Sequence, residues 1–83
     1  MALYFLEYDL RKQRDYSLIT EELKKFDSVR ILESLWCFNR VNTTCENLRS
    51  HFSQFIDKDD GIIVSEVINW ASINVLATPK KLS

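Results

Sequence analysis

The stretch Ala2-Leu3-Tyr4-Phe5-Leu6-Glu7-Tyr8-Asp9-Leu10 decides the predicted fold. Its side chains are mostly aromatic or aliphatic, as strands favour, and a polar segment follows it at once. Successive side chains of a strand point to opposite faces of the sheet. One face therefore carries a set that we expect to lie in the core: Tyr4, Leu6, Tyr8 and Leu10. The opposite face begins with Leu3 and Phe5 and ends with Glu7 and Asp9.

The next segment predicts a helix over about residues 16–27, with Asp15 as its N-cap. Ile19, Leu23 and Phe26 recur at helical spacing and form one apolar stripe. The remaining charged positions are expected to point outward: Glu21, Glu22, Lys24 and Lys25. Residues 29–41 are again apolar but are interrupted at Glu33-Ser34, which predicts either two short strands or one bent strand.

A second helix is expected over about residues 44–56. Thr43-Thr44-Cys45-Glu46 matches a capping box, in which the Thr43 hydroxyl accepts a hydrogen bond from the Glu46 backbone N–H. The buried stripe of this helix would consist of Cys45, Leu48, Phe52 and Phe55. Residues 57–61 then predict a turn, residues 62–68 a further strand, and residues 69–83 an apolar tail.

This order predicts an α+β fold, a ferredoxin-like βαββαβ sandwich with two helices on one face of an antiparallel sheet. The other face would carry Leu3, Phe5, Ile62 and Val64, or their alternates, and is too apolar to face water. A homodimer would cover it, with the tail pairing on the edge of the partner's sheet. We expect one domain over residues 1–83, with a core at about 2–68. The dimer interface would include Phe5, Glu7, Trp70 and Ile73.

Composition excludes several classes of protein. The chain has 83 residues, 46% of them hydrophobic, with one glycine and one proline, so it is not disordered, collagenous or repetitive. A net charge of −1 gives no global attraction to nucleic acid or membrane. We predict a cytoplasmic protein with no membrane partner, because neither a secretory segment nor a span-length apolar run is evident. Cys37 and Cys45 are expected to be reduced thiols.

Asp9 is the candidate catalytic and metal-binding residue, because it ends a strand just before a loop. A dimer axis near it would bring two carboxylates together, and such a pair needs a cation to stay ionised. Oxygen ligands suit Mg²⁺ or Mn²⁺, which could activate water or clamp a phosphodiester. Alternatively, Asp9 is a solvated strand residue. Arg11, Lys12 and Arg14 are candidate nucleic-acid contacts or ordinary surface charge, and His51 is expected on a helix surface.

The sequence resembles a known family at two places. Tyr4-Phe5-Leu6-Glu7-Tyr8-Asp9-Leu10 is similar to the first strand of the small CRISPR-associated adaptation protein (the "protein two" subunit), which ends in a Tyr-Asp pair. Ile31-Leu32-Glu33-Ser34-Leu35-Trp36-Cys37-Phe38 is similar to a later segment of that family. The likeness covers about residues 2–68. It is closest to the stand-alone SinR-like relatives, and VapD proteins resemble the chain more distantly.

The resemblance implies a ferredoxin-like homodimer in which Asp9 faces its own copy and holds a divalent metal for phosphodiester cleavage. Family members include metal-dependent nucleases and adaptors that bind duplex DNA without cutting it. The leading hypothesis is therefore a dimeric, Mg²⁺-dependent nuclease acting on RNA or DNA. The alternatives are a non-catalytic dimer that binds nucleic acid or a protein partner, and a metal-independent ribonuclease.

Overall fold

The computed structural model describes residues 1–11 and 15–82 of the chain. Within them lie a four-stranded antiparallel sheet and two α-helices, which confirms a small α+β fold. The elements follow in the order β1 (Ala2–Asp9), α1 (Ser17–Lys25), β2 (Val29–Arg30), β3 (Leu35–Arg40), α2 (Cys45–Phe52) and β4 (Gly61–Val67). Short 3-10 helices lie at Ser53–Phe55 and Pro79–Leu82. Of the two alternatives for residues 29–41, the two-strand one is confirmed, because the chain turns between Arg30 and Leu35.

β1 occupies the centre of the sheet, whose strand order is β2-β3-β1-β4. Its residue Leu6 pairs with Trp36 of β3 on one side and with Val64 of β4 on the other. Because β1 has a neighbouring strand on each side, its backbone is paired along both edges and most of its side chains are covered. A mostly aromatic and aliphatic sequence is typical of a strand in this position. The order is consistent with a ferredoxin-like arrangement.

The core lies on one face of the sheet. The predicted inward set of β1 is confirmed, because Tyr4, Leu6, Tyr8 and Leu10 are each at most 5% exposed. Helix α1 adds Ile19 and Leu23 to the same cluster, and α2 adds Leu48 and Phe52. Both helices therefore cover this face. The rings of Phe26 and Phe52 pack with their centroids 4.8 Å apart, a contact worth about 0.5–1.5 kcal/mol beyond burial.

The first helix is shorter than predicted. It begins at Ser17 with Tyr16 as its N-cap residue, while the Asp15 carboxylate accepts from the Ser17 backbone N–H at 3.0 Å. It ends at Lys25, and Asp27 adopts a left-handed φ of 55°. A residue in this conformation stops the helix while its N–H still bonds a carbonyl of the last turn, here that of Lys24 at 3.0 Å.

The predicted cap of the second helix was wrong by one residue. Thr44, not Thr43, is the N-cap, and its hydroxyl accepts from the Asn47 backbone N–H at 3.1 Å. The Thr43 carbonyl instead accepts from the Tyr4 hydroxyl at 3.2 Å, which holds Thr43 against the sheet. The α-helix ends at Phe52, and the tighter turn Ser53–Phe55 replaces the helix predicted as far as residue 56.

The second face of the sheet, which we call the open face, has neither α-helix on it. The tail and the 3-10 helix Pro79–Leu82 cover part of it, since Phe5 lines a cleft with Trp70 and Pro79. Ile62 and Val64 of β4 were expected on the open face, but they pack on the core side. The alternate position Ile63 lies on the open face instead and is 66% exposed. The tail lies against its own sheet at the β2 edge, where the Leu76 N–H donates to the Ile31 carbonyl at 2.8 Å. Pairing of the tail with a partner's sheet stays a prediction. Cys37, on the open face of β3, is fully buried.

Candidate functional site

Asp9 is the last residue of β1 and pairs in the sheet with Gly61, the first residue of β4. Strand alternation places its carboxylate on the open face, next to that of Glu7. The side chain is 72% exposed, and its Oδ2 accepts from Arg11 Nε at 3.2 Å. Asp9 is therefore a solvent-facing carboxylate that already forms an ion pair with the Arg11 side chain.

The segment after β1 is held against the turn at residues 57–60. The Arg11 backbone N–H donates to Asp60 Oδ1 at 2.8 Å, and Arg11 Nη1 donates to the Asp59 carbonyl at 3.2 Å. The second oxygen of Asp60 accepts from the Asp57 backbone N–H at 2.9 Å. The hydrogen bond from the Arg11 backbone, with that from Asp57 and the charge of Arg11, lowers the pKa of Asp60. The Asp60 carboxylate thus keeps the Arg11 backbone in place, and Arg11 in turn lies beside Asp9.

Gly61 leaves the space that the Arg11 side chain occupies. A Cβ at this position would lie 2.9 Å from Arg11 Nη2 and 3.8 Å from the Asp9 Cβ. The Cβ of any other residue at position 61 would displace the guanidinium group, and the flexible Arg11 side chain can move to accommodate it. The sequence indicated Gly61 only as part of a turn. Its place opposite Asp9 follows from strand pairing between distant segments.

The predicted phosphate-binding residues are only partly described. Arg11 lies beside Asp9 as expected, but its guanidinium bonds Asp9 and the Asp59 carbonyl, so a phosphate would compete with both. Lys12 and Arg14 lie outside the described residues.

The predicted interface residues lie on or against the open face. Phe5, Trp70 and Ile73 line one cleft of about 190 Å³ between the tail and the sheet. Ile73 is 81% exposed. Glu7 lies two residues beyond Phe5 on the same face and is exposed.

Asp9 offers the kind of oxygen ligand that Mg²⁺ binds. In the described part of the chain, no three or more His, Cys, Asp or Glu side chains are grouped so that they could hold a metal. Mg²⁺ is commonly held by one or two carboxylates, with water and phosphate oxygens completing its shell. Asp9 supplies one such carboxylate at the end of the sheet, with its side chain exposed.

Glu22 and His51 form a contact that the sequence prediction missed. Glu22, predicted to point outward, is only 9% exposed, and its Oε2 lies 2.6 Å from His51 Nε2. The outward prediction was wrong because position 22 follows Ile19 by three residues and precedes Phe26 by four, which places it on the buried stripe. His51, predicted on a helix surface, is half-buried, and its ring packs 5.4 Å from that of Phe26.

The Cys37 thiol is buried and its reactivity is low. Burial raises the pKa of the Cys37 thiol to about 11, so it stays protonated at neutral pH and is a poor nucleophile. Both cysteines are free in the structure. This agrees with the expectation of reduced thiols used as small apolar residues.

Two open clefts flank Asp9. The first, of about 310 Å³, lies toward β4 and includes Glu7, Arg11 and Ile63 in its lining. The second, of about 220 Å³, lies toward the turn between β2 and β3, and its walls include Tyr8, Tyr16, Arg30 and Glu33. Within the described residues the buried Tyr8 hydroxyl has no hydrogen-bond partner.

No protein-family model matches the sequence, and no solved structure matches the chain significantly.

Over residues 1–11 and 15–82, none of the helices is both long enough and apolar enough to traverse a lipid bilayer.

Proposed function

We propose that the protein is a ferredoxin-like homodimer that associates with nucleic acid and cleaves phosphodiester bonds with Mg²⁺, using Asp9 of both subunits. One observation carries the proposal: an apolar sheet face ends in exposed carboxylates beside an arginine. Asp9 is 72% exposed and Arg11 lies within 3.2 Å of it. The rim of a protein interface is polar and accessible to solvent, so a substrate could reach carboxylates that lie at the edge of an apolar face.

Dimerisation would use the open face. Phe5 is only partly buried there, and Ile63 is 66% exposed. Covering this apolar surface with a second copy stabilises the pair by about 25 cal/mol for each Å² removed from water. A two-fold axis near the end of β1 would place the two Asp9 side chains across the interface from each other.

Each residue of the site has a separate role in this proposal. Asp9 and its copy would hold the cation, since two close carboxylates are not both ionised without one. When bound, Mg²⁺ would neutralise phosphate charge and lower the pKa of a water molecule. Arg11 would exchange its contact with Asp9 for one with a phosphate oxygen. The side chain can make this exchange because it is 59% exposed.

A non-catalytic adaptor that binds nucleic acid or a protein is the second candidate. One observation favours it: Asp9 already has Arg11 as its partner. In this case the Asp9–Arg11 pair would serve only to hold the end of the sheet.

Cleavage assays distinguish the two. Labelled single- and double-stranded RNA and DNA are incubated with Mg²⁺, Mn²⁺ or EDTA, using wild type, Asp9→Asn and the control Glu21→Gln, which alters an exposed carboxylate on α1. The nuclease proposal requires metal-dependent cutting that Asp9→Asn abolishes and Glu21→Gln retains. Cutting that survives EDTA would instead indicate a metal-independent ribonuclease. No cutting by a folded dimer would favour the adaptor.

A further inference from the structure

We infer that the cleft between Asp9 and the β2–β3 turn is a subsite for one unpaired nucleobase that carries an exocyclic amino group. The inference rests on the proposed association with nucleic acid and names the part of the ligand that this surface recognises. The base would stack on Tyr16, and its amino group would donate to the Glu33 carboxylate.

The cleft has the size and shape for a single ring system. Its volume is about 220 Å³, and it is open to solvent on one side. A closed cavity of about 150 Å³ already accommodates a benzene ring. An open cleft of this size therefore takes a base and leaves the sugar and phosphate outside.

One wall of the cleft is aromatic. Tyr16 is 39% exposed, so part of its ring faces solvent, and its other contact is the Tyr8 ring at 5.7 Å between centroids. The buried Tyr8 ring supports Tyr16 from behind. A supported, half-exposed ring is suited to stacking, because every base has a flat face and little side-chain freedom is lost on binding.

The turn between β2 and β3 forms another part of the wall. Arg30 Nε and Nη2 donate to the Glu33 carbonyl at 2.9 and 2.6 Å. The guanidinium carbon of Arg30 lies 5.3 Å from the centroid of the Trp36 ring. These contacts hold the backbone of the turn at Glu33 against the sheet, so the Glu33 side chain extends from a fixed point at the cleft.

Hydrogen bonding to Glu33 decides which base the cleft prefers. The charged residues that line the cleft are Asp9, Glu33 and Arg30, but the Asp9 carboxylate lies on the open face and contacts Arg11. Glu33 is exposed, so its carboxylate is accessible to a base. A carboxylate accepts a hydrogen bond from the amino group of cytosine, whereas uracil presents a carbonyl oxygen at the same place. The cleft should therefore prefer cytosine to uracil.

Fluorescence anisotropy in EDTA tests this without interference from cleavage. Labelled oligocytidine and oligouridine of equal length, each as RNA and as DNA with the matching uracil base, are titrated with wild type, Tyr16→Ala, Tyr16→Phe and Glu33→Ala. Glu46→Ala is the control, because it removes an exposed carboxylate on α2. Thermal unfolding shows whether each variant is folded.

The expected pattern has three parts. Wild type binds oligocytidine at least about tenfold more tightly than oligouridine, as one hydrogen bond to a charged group predicts. Tyr16→Ala weakens binding of both by about fivefold or more, and Tyr16→Phe retains it. Glu33→Ala removes the preference for cytosine, and Glu46→Ala keeps it.

Other results overturn the inference. Wild-type affinity in Tyr16→Ala, or equal binding of the two oligonucleotides by wild type, would show that no base enters the cleft. Failure of the nuclease proposal is separate, since the expected pattern without cleavage would support a base subsite in an adaptor. No binding of any oligonucleotide by the folded protein would contradict both proposals.

Discussion

Removal of His51 should destabilise the fold more than neutralisation of Glu22. His51 Nε2 and Glu22 Oε2 are 2.6 Å apart and connect α2 to α1. The Glu22 side chain is 11% exposed, whereas that of His51 is 39% exposed. Of the partners that the described residues give it, the buried carboxylate in His51→Ala would keep Lys25, whose Nζ lies 3.7 Å away. In Glu22→Gln the half-exposed imidazole would keep an uncharged partner of the same shape.

The magnitudes follow from this difference in burial. Loss of a hydrogen bond to a charged group costs about 1.5–3 kcal/mol, and a buried group left without its partner lies at the upper end. His51→Ala also removes a ring that packs against Phe52 and Phe55. We expect about 2–4 kcal/mol for His51→Ala and about 1 kcal/mol for Glu22→Gln. The double variant Glu22→Leu/His51→Leu should cost less than His51→Ala, since an apolar pair leaves no buried charge.

Denaturant unfolding monitored by circular dichroism measures these free energies of unfolding. Each kcal/mol corresponds to about 4–8 °C in Tm for a domain of this size, so thermal scans give a second readout. Arg49→Ala, an exposed change on the same helix, is the control and should cost less than about 0.5 kcal/mol. The reasoning is refuted if His51→Ala unfolds with the same free energy as wild type, or if Glu22→Gln is the more destabilising change.

Three further predictions concern the helix cap, the acid turn and the open face. Thr44→Ala should lower the free energy of unfolding by about 1 kcal/mol, and Thr43→Ala by less, because only Thr44 accepts from the helix; equal losses in denaturant titrations would contradict the assigned cap. The lowered pKa of Asp60 contributes stability above its ordinary value of 3.8 that is lost as pH falls further. Asp60→Asn should therefore lose less stability than wild type between about pH 6 and about pH 3, and parallel pH profiles would count against this. If the protein is the proposed homodimer, Ile63→Asp should convert it to monomer in light scattering, and an unchanged mass would exclude the open face as the interface.

The features that the sequence predicted correctly are local ones. Alternation along β1 identified Tyr4, Leu6, Tyr8 and Leu10 as the inward set, because a two-residue period follows directly from strand geometry. Helical spacing identified Ile19 and Leu23 in the same way. The interruption at Glu33-Ser34 marked the turn between β2 and β3. The place of Asp9 at the end of β1 was also predicted from the chain alone.

Other features depended on segments that are distant in sequence. By sequence alone, either of two adjacent threonines could cap α2. In the structure Thr44 is the cap, and the Thr43 carbonyl accepts a hydrogen bond from the distant Tyr4 hydroxyl. Glu22 is buried because His51, from the other helix, supplies a partner for its carboxylate. Pairing of β1 with β4 brings Gly61 and Asp60 to the Asp9 end of the sheet.

The sequence by itself thus determined the elements, their inward faces and the presence of an acidic residue at the end of the first strand. Only the tertiary structure decided what surrounds that residue: Arg11 held by Asp60, the space left by Gly61, and the cleft between Tyr16 and Glu33. The physical reason is that periodicity and capping act within a few residues along the chain. Partners for exposed and buried charges are set instead by which strands and helices pack together.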